Sequence, residues 1–150
     1  MNRLSLLGVL LLIPCMLLAH TVAVPSSPEE IIKKANFICV GILKEEAEGV
    51  YFFEVRNILK GNKDGAEKRF YFTKESQHYI DLKYYTEKFN AEPTIFIGHK
   101  NSKQKLVPEF AQWSFWPQAL PANSAFLLDK LEFKEVVRFI NGVIATQKSE

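Results

Sequence analysis

Cysteine, histidine and a dominant charge are all scarce in this sequence. Of 150 residues two are cysteine and three histidine, and Lys plus Arg outnumber Asp plus Glu by only 19 to 17. So near a balance creates no broad field for steering toward nucleic acid or anionic lipid. No Asn-x-Ser/Thr acceptor occurs, no Gly-x-Ser-x-Gly elbow, and no glycine-rich phosphate loop follows any apolar run. Internal repeats and low-complexity linkers are absent too.

What is present begins at the amino terminus. Met1-Asn2-Arg3 is a short basic start, Leu4 to Leu18 is apolar apart from Ser5, Gly8 and Pro14, and Ala19 to Ala23 is a small-residue exit. That order of charge, apolar core and small residues predicts a secretory signal peptide over residues 1–23, cut after Ala23, with Ala19 as the weaker site. The alternative is an uncleaved anchor, which needs about 20 apolar residues; Leu4 to Ala23 barely reaches that length and carries Pro14 and His20. Lipidation at Cys15 fits poorly, because Pro14 stands where such sites want a small residue. No second apolar run approaches spanning length.

Cleavage would leave residues 24–150 as a single domain, with 18 basic and 17 acidic side chains and Cys39 as its lone cysteine. An internal disulfide is then excluded, and a packed core must hold the domain together. Lacking both disulfides and glycan acceptors, the chain leans toward a bacterial periplasm or cell exterior. Twelve Phe, five Tyr and two Trp can supply the core.

Ser27-Pro28-Glu29-Glu30 is a capping box with proline at the first helical position, opening a short helix through Ala35 that buries Ile31, Ile32 and Ala35. Phe37 to Leu43 reads as a strand apolar on both faces, with Phe37, Cys39 and Leu43 against Ile38, Val40 and Ile42. It therefore needs a cover on each side, and the first helix suits one of them. After a polar turn over Glu45 to Gly49, Tyr51 to Leu59 is a second strand with Phe53, Val55 and Leu59 on one side and Glu54 and Arg56 on the other. Lys60 to Gly65 is a loop, and Arg69 to Thr73 a third strand with Phe70 and Phe72 inward. Residues 75–89 shift to helical spacing through Tyr79, Leu82, Tyr85 or Thr86, and Phe89. Pro93 to His99 is a fourth strand, Leu106-Val107 a short fifth limited by Pro108, and Phe110 to Pro117 aromatic and irregular. Phe133 to Thr146 is the clearest helix, with Phe133, Val136, Val137, Ile140, Val143 and Ile144 in one stripe. Gly142 weakens it by about 1 kcal/mol relative to alanine, which packing must offset.

The expected fold is mainly β: a five-stranded OB-like barrel with a short N-terminal and a longer C-terminal helix. Ala35-Asn36-Phe37-Ile38-Cys39-Val40-Gly41, then Phe53-Glu54-Val55 and Ile58-Leu59-Lys60-Gly61, resembles the netrin-like domains related to tissue inhibitors of metalloproteinases. In bacterial exported relatives of that group a helix leads into an Ala-Asx…Val-Gly strand, and the second strand ends in Leu-Lys-Gly. The apolar strand Pro93 to Gly98 also sits where those proteins carry one, so the resemblance spans roughly two thirds of the chain after residue 23. It implies architecture more than activity. The animal inhibitors chelate a protease zinc through an amino-terminal cysteine, whereas cleavage here would expose Val24-Pro25-Ser26.

Catalytic residues are few. His78 and His99 lie far apart with no surrounding ligands, so neither a metal site nor a cofactor is expected; His99 should be a rim residue and His78 solvated. Cys39 inside an apolar strand reads as a small buried hydrophobe. Glu45, Glu46 and Glu48, and likewise Glu75, Asp81 and Glu87, read as solvated charge. Trp113, Phe115 and Trp116 stand out: they either pack over an open barrel end or anchor a partner, and Tyr84 and Tyr85 carry the same two readings. The expectation is a non-catalytic exported binding module for a protein partner, inhibition of that partner being one form. A barrel holding a small apolar or glycan ligand is the alternative, and a periplasmic enzyme of unrecognised type the second alternative. Nucleic acid is disfavoured, because the lysines are interleaved with acids.

Overall fold

The computed structural model describes residues 27–62, 68–117 and 131–149. The signal-peptide reading of residues 1–23, and part of the loop read over Lys60 to Gly65, lie outside them. The described elements are α1 (Pro28–Lys34), β1 (Phe37–Ala47), β2 (Val50–Lys60), β3 (Arg69–Tyr71), a 3₁₀ turn (Lys74–His78), α2 (Leu82–Phe89), β4 (Thr94–Lys100), β5 (Leu106–Val107), a second 3₁₀ turn (Ala111–Ser114), β6 (Phe115–Trp116) and α3 (Phe133–Gln147). Among the described residues no helix is long and apolar enough to cross a membrane.

The strands form one antiparallel sheet in the order β3-β2-β1-β4-β5, with β6 also on β4. Six strands are therefore present among the described residues, one more than the sequence predicts. The extra one comes from the segment expected to be irregular. β5 pairs with the end of β4 (His99 opposite Val107, Lys100 opposite Leu106), and β6 pairs with its beginning (Ile95 opposite Trp116, Phe96 opposite Phe115). Had β5 run on, Ala111 would stand opposite Ile95; Trp116 stands there, so five residues are looped out between the two short strands. A single parallel bridge, Phe72 to Leu106, joins the chain after β3 to β5, and the Thr73 N–H donates to the Leu106 carbonyl at 3.1 Å.

β1 explains why the core has two parts. Its inward residues Phe37, Cys39 and Leu43 join Tyr51, Phe53, Phe70, Phe72, Phe96, Leu106 and Phe115 in a largely aromatic cluster, which α2 covers with Leu82, Tyr85 and Phe89. Its outward Ile38 and Val40 join Ile95 and Ile97 of β4 under α1 (Ile31, Ile32) and α3 (Val136, Ile140, Val143, Ile144). Both faces of the strand are thus covered, as its composition demanded. Ser27 caps the start of α1, its Oγ accepting from the Glu30 N–H at 3.2 Å.

The alternation expected along β2 breaks beyond Val55. Val55 and Ile58 pack into the aromatic cluster, but Leu59 packs into the helix-covered one. Opposite β1, Val40 and Gly41 face Asn57 and Val55, while Cys39 and Ile38 face Ile58 and Lys60. Arg56 and Leu59 are left without strand partners, and each such bulge reverses the face parity of the residues beyond it. β1 also runs on to Ala47, so Glu45 and Glu46 belong to the strand and only Glu48-Gly49 makes the turn, with Gly49 at φ +73°.

Candidate functional site

The structure separates the five aromatic residues singled out as binding candidates. Phe115 is 1% exposed and Tyr85 3%, both inside the aromatic cluster, with ring centroids 5.4 Å apart. Tyr84, next to Tyr85 on α2, is 38% exposed. Trp113 and Trp116 are half-buried and pack on the outer, helix-covered face beside Phe110, Leu131 and Phe133. The Trp116 ring lies 5.7 Å from that of Phe133, the first residue of α3. Trp116 thus flanks the start of α3, and both tryptophans pack against the helix-covered cluster.

The looped-out segment between β5 and β6 holds Trp113 in place. Ala111 N–H donates to Pro108 O at 3.0 Å, Trp113 N–H to Phe110 O at 3.1 Å, and Phe110 N–H to the buried Ser114 Oγ at 3.1 Å. Ala111 carries φ +50°, a left-handed conformation that costs a non-glycine residue about 1 kcal/mol or more. At the start of the segment Glu109 Oε2 lies 3.1 Å from His99 Nε2, and the His99 ring packs against Phe110 at 5.5 Å. His99 lies one residue before the end of β4, with its side chain 26% exposed. Glu109 and Phe110, its two contacts, are residues the sequence reading did not connect with it. Ten positions separate Glu109 from His99, and only the β4–β5 register brings them together.

The other reactive groups are held in structural duties. Cys39 is fully buried, and burial pushes its thiol well above the usual range, with the Lys100 charge pulling the other way; such a thiol is a poor nucleophile. Asp81 caps α2 by accepting from the Tyr84 N–H at 3.1 Å. Glu45 accepts from the Gly49 N–H at 3.1 Å, and Glu46 from the Tyr71 hydroxyl at 2.9 Å. His78 is exposed at the end of the first 3₁₀ turn. Among the described residues no three His, Cys, Asp or Glu side chains gather closely enough to hold a metal ion.

Two buried phenols are perturbed. Burial, then the hydrogen bond and charge of Glu45, push Tyr51 up to about 12, the more distant charges of Asp81 and Glu87 adding to it. Burial, with a smaller contribution from Tyr84, pushes Tyr85 up to about 12. The Tyr85 hydroxyl is buried with no hydrogen-bond partner among the described residues. Lys60, at the end of β2, spends its three protons on neutral acceptors: Ile32 O at 2.8 Å, Lys33 O at 3.0 Å and Gln147 Oε1 at 3.0 Å.

The assembled candidate surface is therefore an aromatic shoulder, Trp113 and Trp116 beside α3, carried on a tightly hydrogen-bonded excursion. Compared with protein-family models, with curated proteins and with solved structures, the chain matches none.

Proposed function

We propose that this chain is an exported, non-catalytic binding module: an OB-like barrel of the netrin-like type that binds another protein of the cell envelope or exterior. A hydrolase that it restrains is one such partner. Export rests on the leader-like residues 1–23, with cleavage after Ala23. The barrel reading is supported by the Phe72–Leu106 bridge, through which the strand path β3-β2-β1-β4-β5 comes back to the end of β3. The position of α2 between β3 and β4, over the interior cluster, agrees with it.

The observation that carries the functional reading is the placement of Trp113 and Trp116. Both are half-buried and pack against the helix-covered cluster. Rigid, partly exposed tryptophans supply large contact area with little further ordering on binding. Tyr84 is the other candidate left at the surface. Phe115 and Tyr85 contribute by holding β6 and α2 in place, because both lie in the core.

The test is capture from the envelope and medium of the source cells with the tagged full chain, beside a Trp113→Ala/Trp116→Ala variant whose circular dichroism matches wild type. A protein retained by wild type and lost by the folded variant supports the module and names its partner. Equal retention by both moves the site away from the tryptophans. If nothing is captured and tryptophan fluorescence responds to a small molecule, the chain is a ligand carrier.

A further inference from the structure

We propose that the end of the sheet where β1 starts and β4 finishes is a lysine-bearing surface that docks this protein on an anionic lipid bilayer. Lysines that alternate with acids along the sequence are sorted there by the fold. Lys33 and Lys34 close α1, Lys60 closes β2 and Lys100 closes β4; Lys103 and Lys105 lie in the β4–β5 turn, and Lys148 follows α3. Hydrogen bonds bring these chain ends together. The Lys60 ammonium holds the last carbonyls of α1 and Gln147 of α3. The Asn36 side chain, just before β1, accepts from the Lys100 N–H at 2.7 Å and donates to the Lys100 carbonyl at 3.3 Å. Asn101 accepts from the N–H groups of Lys103 and Lys105, each at 3.0 Å.

No acid occurs in the described segments of this end, 33–38, 58–62, 98–106 and 146–149. The acids that flank them in sequence, Glu30, Glu54 and Glu109, face Lys34, Lys44 and His99. Lys60 is spent on carbonyls, and Lys100 places its ammonium over the rings of Phe37 and Phe70 at 4.8 and 5.0 Å. Lys33, Lys103, Lys105 and Lys148 remain exposed and without a carboxylate partner among the described residues. Glu45, Glu46 and Glu48 gather at the far end of β1, so the near balance of the whole chain conceals a local excess. Lys63, Asp64, Glu67 and Glu150 lie outside the described residues, and the full chain is therefore the form to measure.

The chemistry of this end favours lipid headgroups over a protein or a nucleic acid. Protein interfaces have an apolar centre and are depleted in lysine. The large apolar side chains exposed among the described residues, Val50 in the β1–β2 hairpin and Tyr84 on α2, both lie outside the lysine end. Nor does that end expose a ring on which a base could stack. A lysine cluster without apolar anchors is held by the surface potential of anionic lipid, which is worth about fivefold in affinity for each lysine brought near it. The surface goes beyond the binding proposal, because Trp116 pairs with the start of β4 and the lysine turn follows its end.

Cosedimentation of the full chain with phospholipid vesicles tests this without a protein partner. At low salt the wild type should bind vesicles of phosphatidylcholine and phosphatidylglycerol in equal parts at least about tenfold tighter than phosphatidylcholine alone. Salt at about 0.5 M should remove the preference. Lys103→Gln/Lys105→Gln should weaken binding to the mixed vesicles by about 10- to 30-fold. Lys83→Gln/Lys88→Gln, the same change of net charge placed on α2, should stay within about twofold of wild type. Residues 1–23 are common to all three chains, so any affinity of their own cancels between variants. Equal binding to the two kinds of vesicle overturns the proposal, and so does equal loss in both double variants. An octaglutamate peptide that binds the wild type tighter than the mixed vesicles do also overturns it, because the occupant is then an acidic protein segment.

Discussion

Phe72 and Leu106 stand opposite one another in the one parallel bridge among the described residues, and both side chains are buried in the same aromatic cluster. The Leu106 carbonyl accepts from the Thr73 N–H and also from the buried Ser76 hydroxyl at 3.3 Å, so backbone and core are tied at one residue. Leu106→Ala should cost about 2–5 kcal/mol in urea unfolding, the range for an aliphatic side chain removed from a core. It should also lower protection of the Thr73 amide more than that of amides in the β1–β2 hairpin. Equal loss everywhere would mean that the residue acts only through packing.

The same substitution should have opposite signs at two glycines. A Cβ on Gly142 meets nothing within 4 Å, on the solvent side of α3, so Gly142→Ala should stabilise by about 1 kcal/mol. A Cβ on Gly41 would lie 2.3 Å from the Glu54 carbonyl oxygen and 2.7 Å from the Phe53 ring. Gly41→Ala must therefore part β1 from β2 beside the bulge, and should destabilise by about 2 kcal/mol or more. Two thermal melts decide both.

Tyr85→Phe should leave the fold intact and raise stability by about 1 kcal/mol at pH 7, because it deletes a buried hydroxyl without a partner among the described residues. An alkaline effect arises by linkage. A phenol held up to about 12 in the folded chain keeps its proton where the unfolded chain has already lost it. Folding stability should therefore fall as pH climbs from about 10 toward 12, by about 2–3 kcal/mol for that residue. Tyr51 adds a decline of the same sign. Urea unfolding at stepped alkaline pH should show a shallower fall in Tyr85→Phe than in wild type.

Lys60 ties three elements through one ammonium: β2, the last carbonyls of α1, and Gln147 in α3. Lys60→Met keeps the apolar stem and removes every donor. It should cost about 1–3 kcal/mol and leave the α1 carbonyls without that partner. Limited proteolysis near Lys33 and Lys34 should quicken, and an unchanged cleavage rate would show that Ile31 and Ile32 alone hold the helix.

Most of the architecture was legible where side-chain period and burial agree. The α3 stripe, the two apolar faces of β1 and the inward Phe70 and Phe72 all emerge from spacing. Within residues 75–89 the spacing left Tyr85 and Thr86 unresolved; Tyr85 goes inside, and Thr86 turns its hydroxyl to the Leu82 carbonyl at 2.8 Å. The face of Leu59 was not legible, because the bulges at Arg56 and Leu59 are choices of backbone register that leave no mark in composition. β6 was hidden for a related reason: two residues make no periodicity, and their pairing depends on a loop of five. At the candidate site, the prominence of Trp113 and Trp116 could be read from the sequence, but not the face they occupy. The His99–Glu109 pair could not be read at all, since it exists only through strand register.

The central strand has a further consequence for how this chain must assemble. β1 precedes every strand it needs, and its partner residues Thr94 to Gly98 arrive more than fifty positions later. Local pairing with β2 can form early, but the second edge and the α3 cover wait for distant segments. Such dependence on remote contacts makes for slow folding. It also leaves Ile38 and Val40 open to other copies of the chain in the interval, so the window in which aggregation competes is set by how soon β4 and α3 arrive.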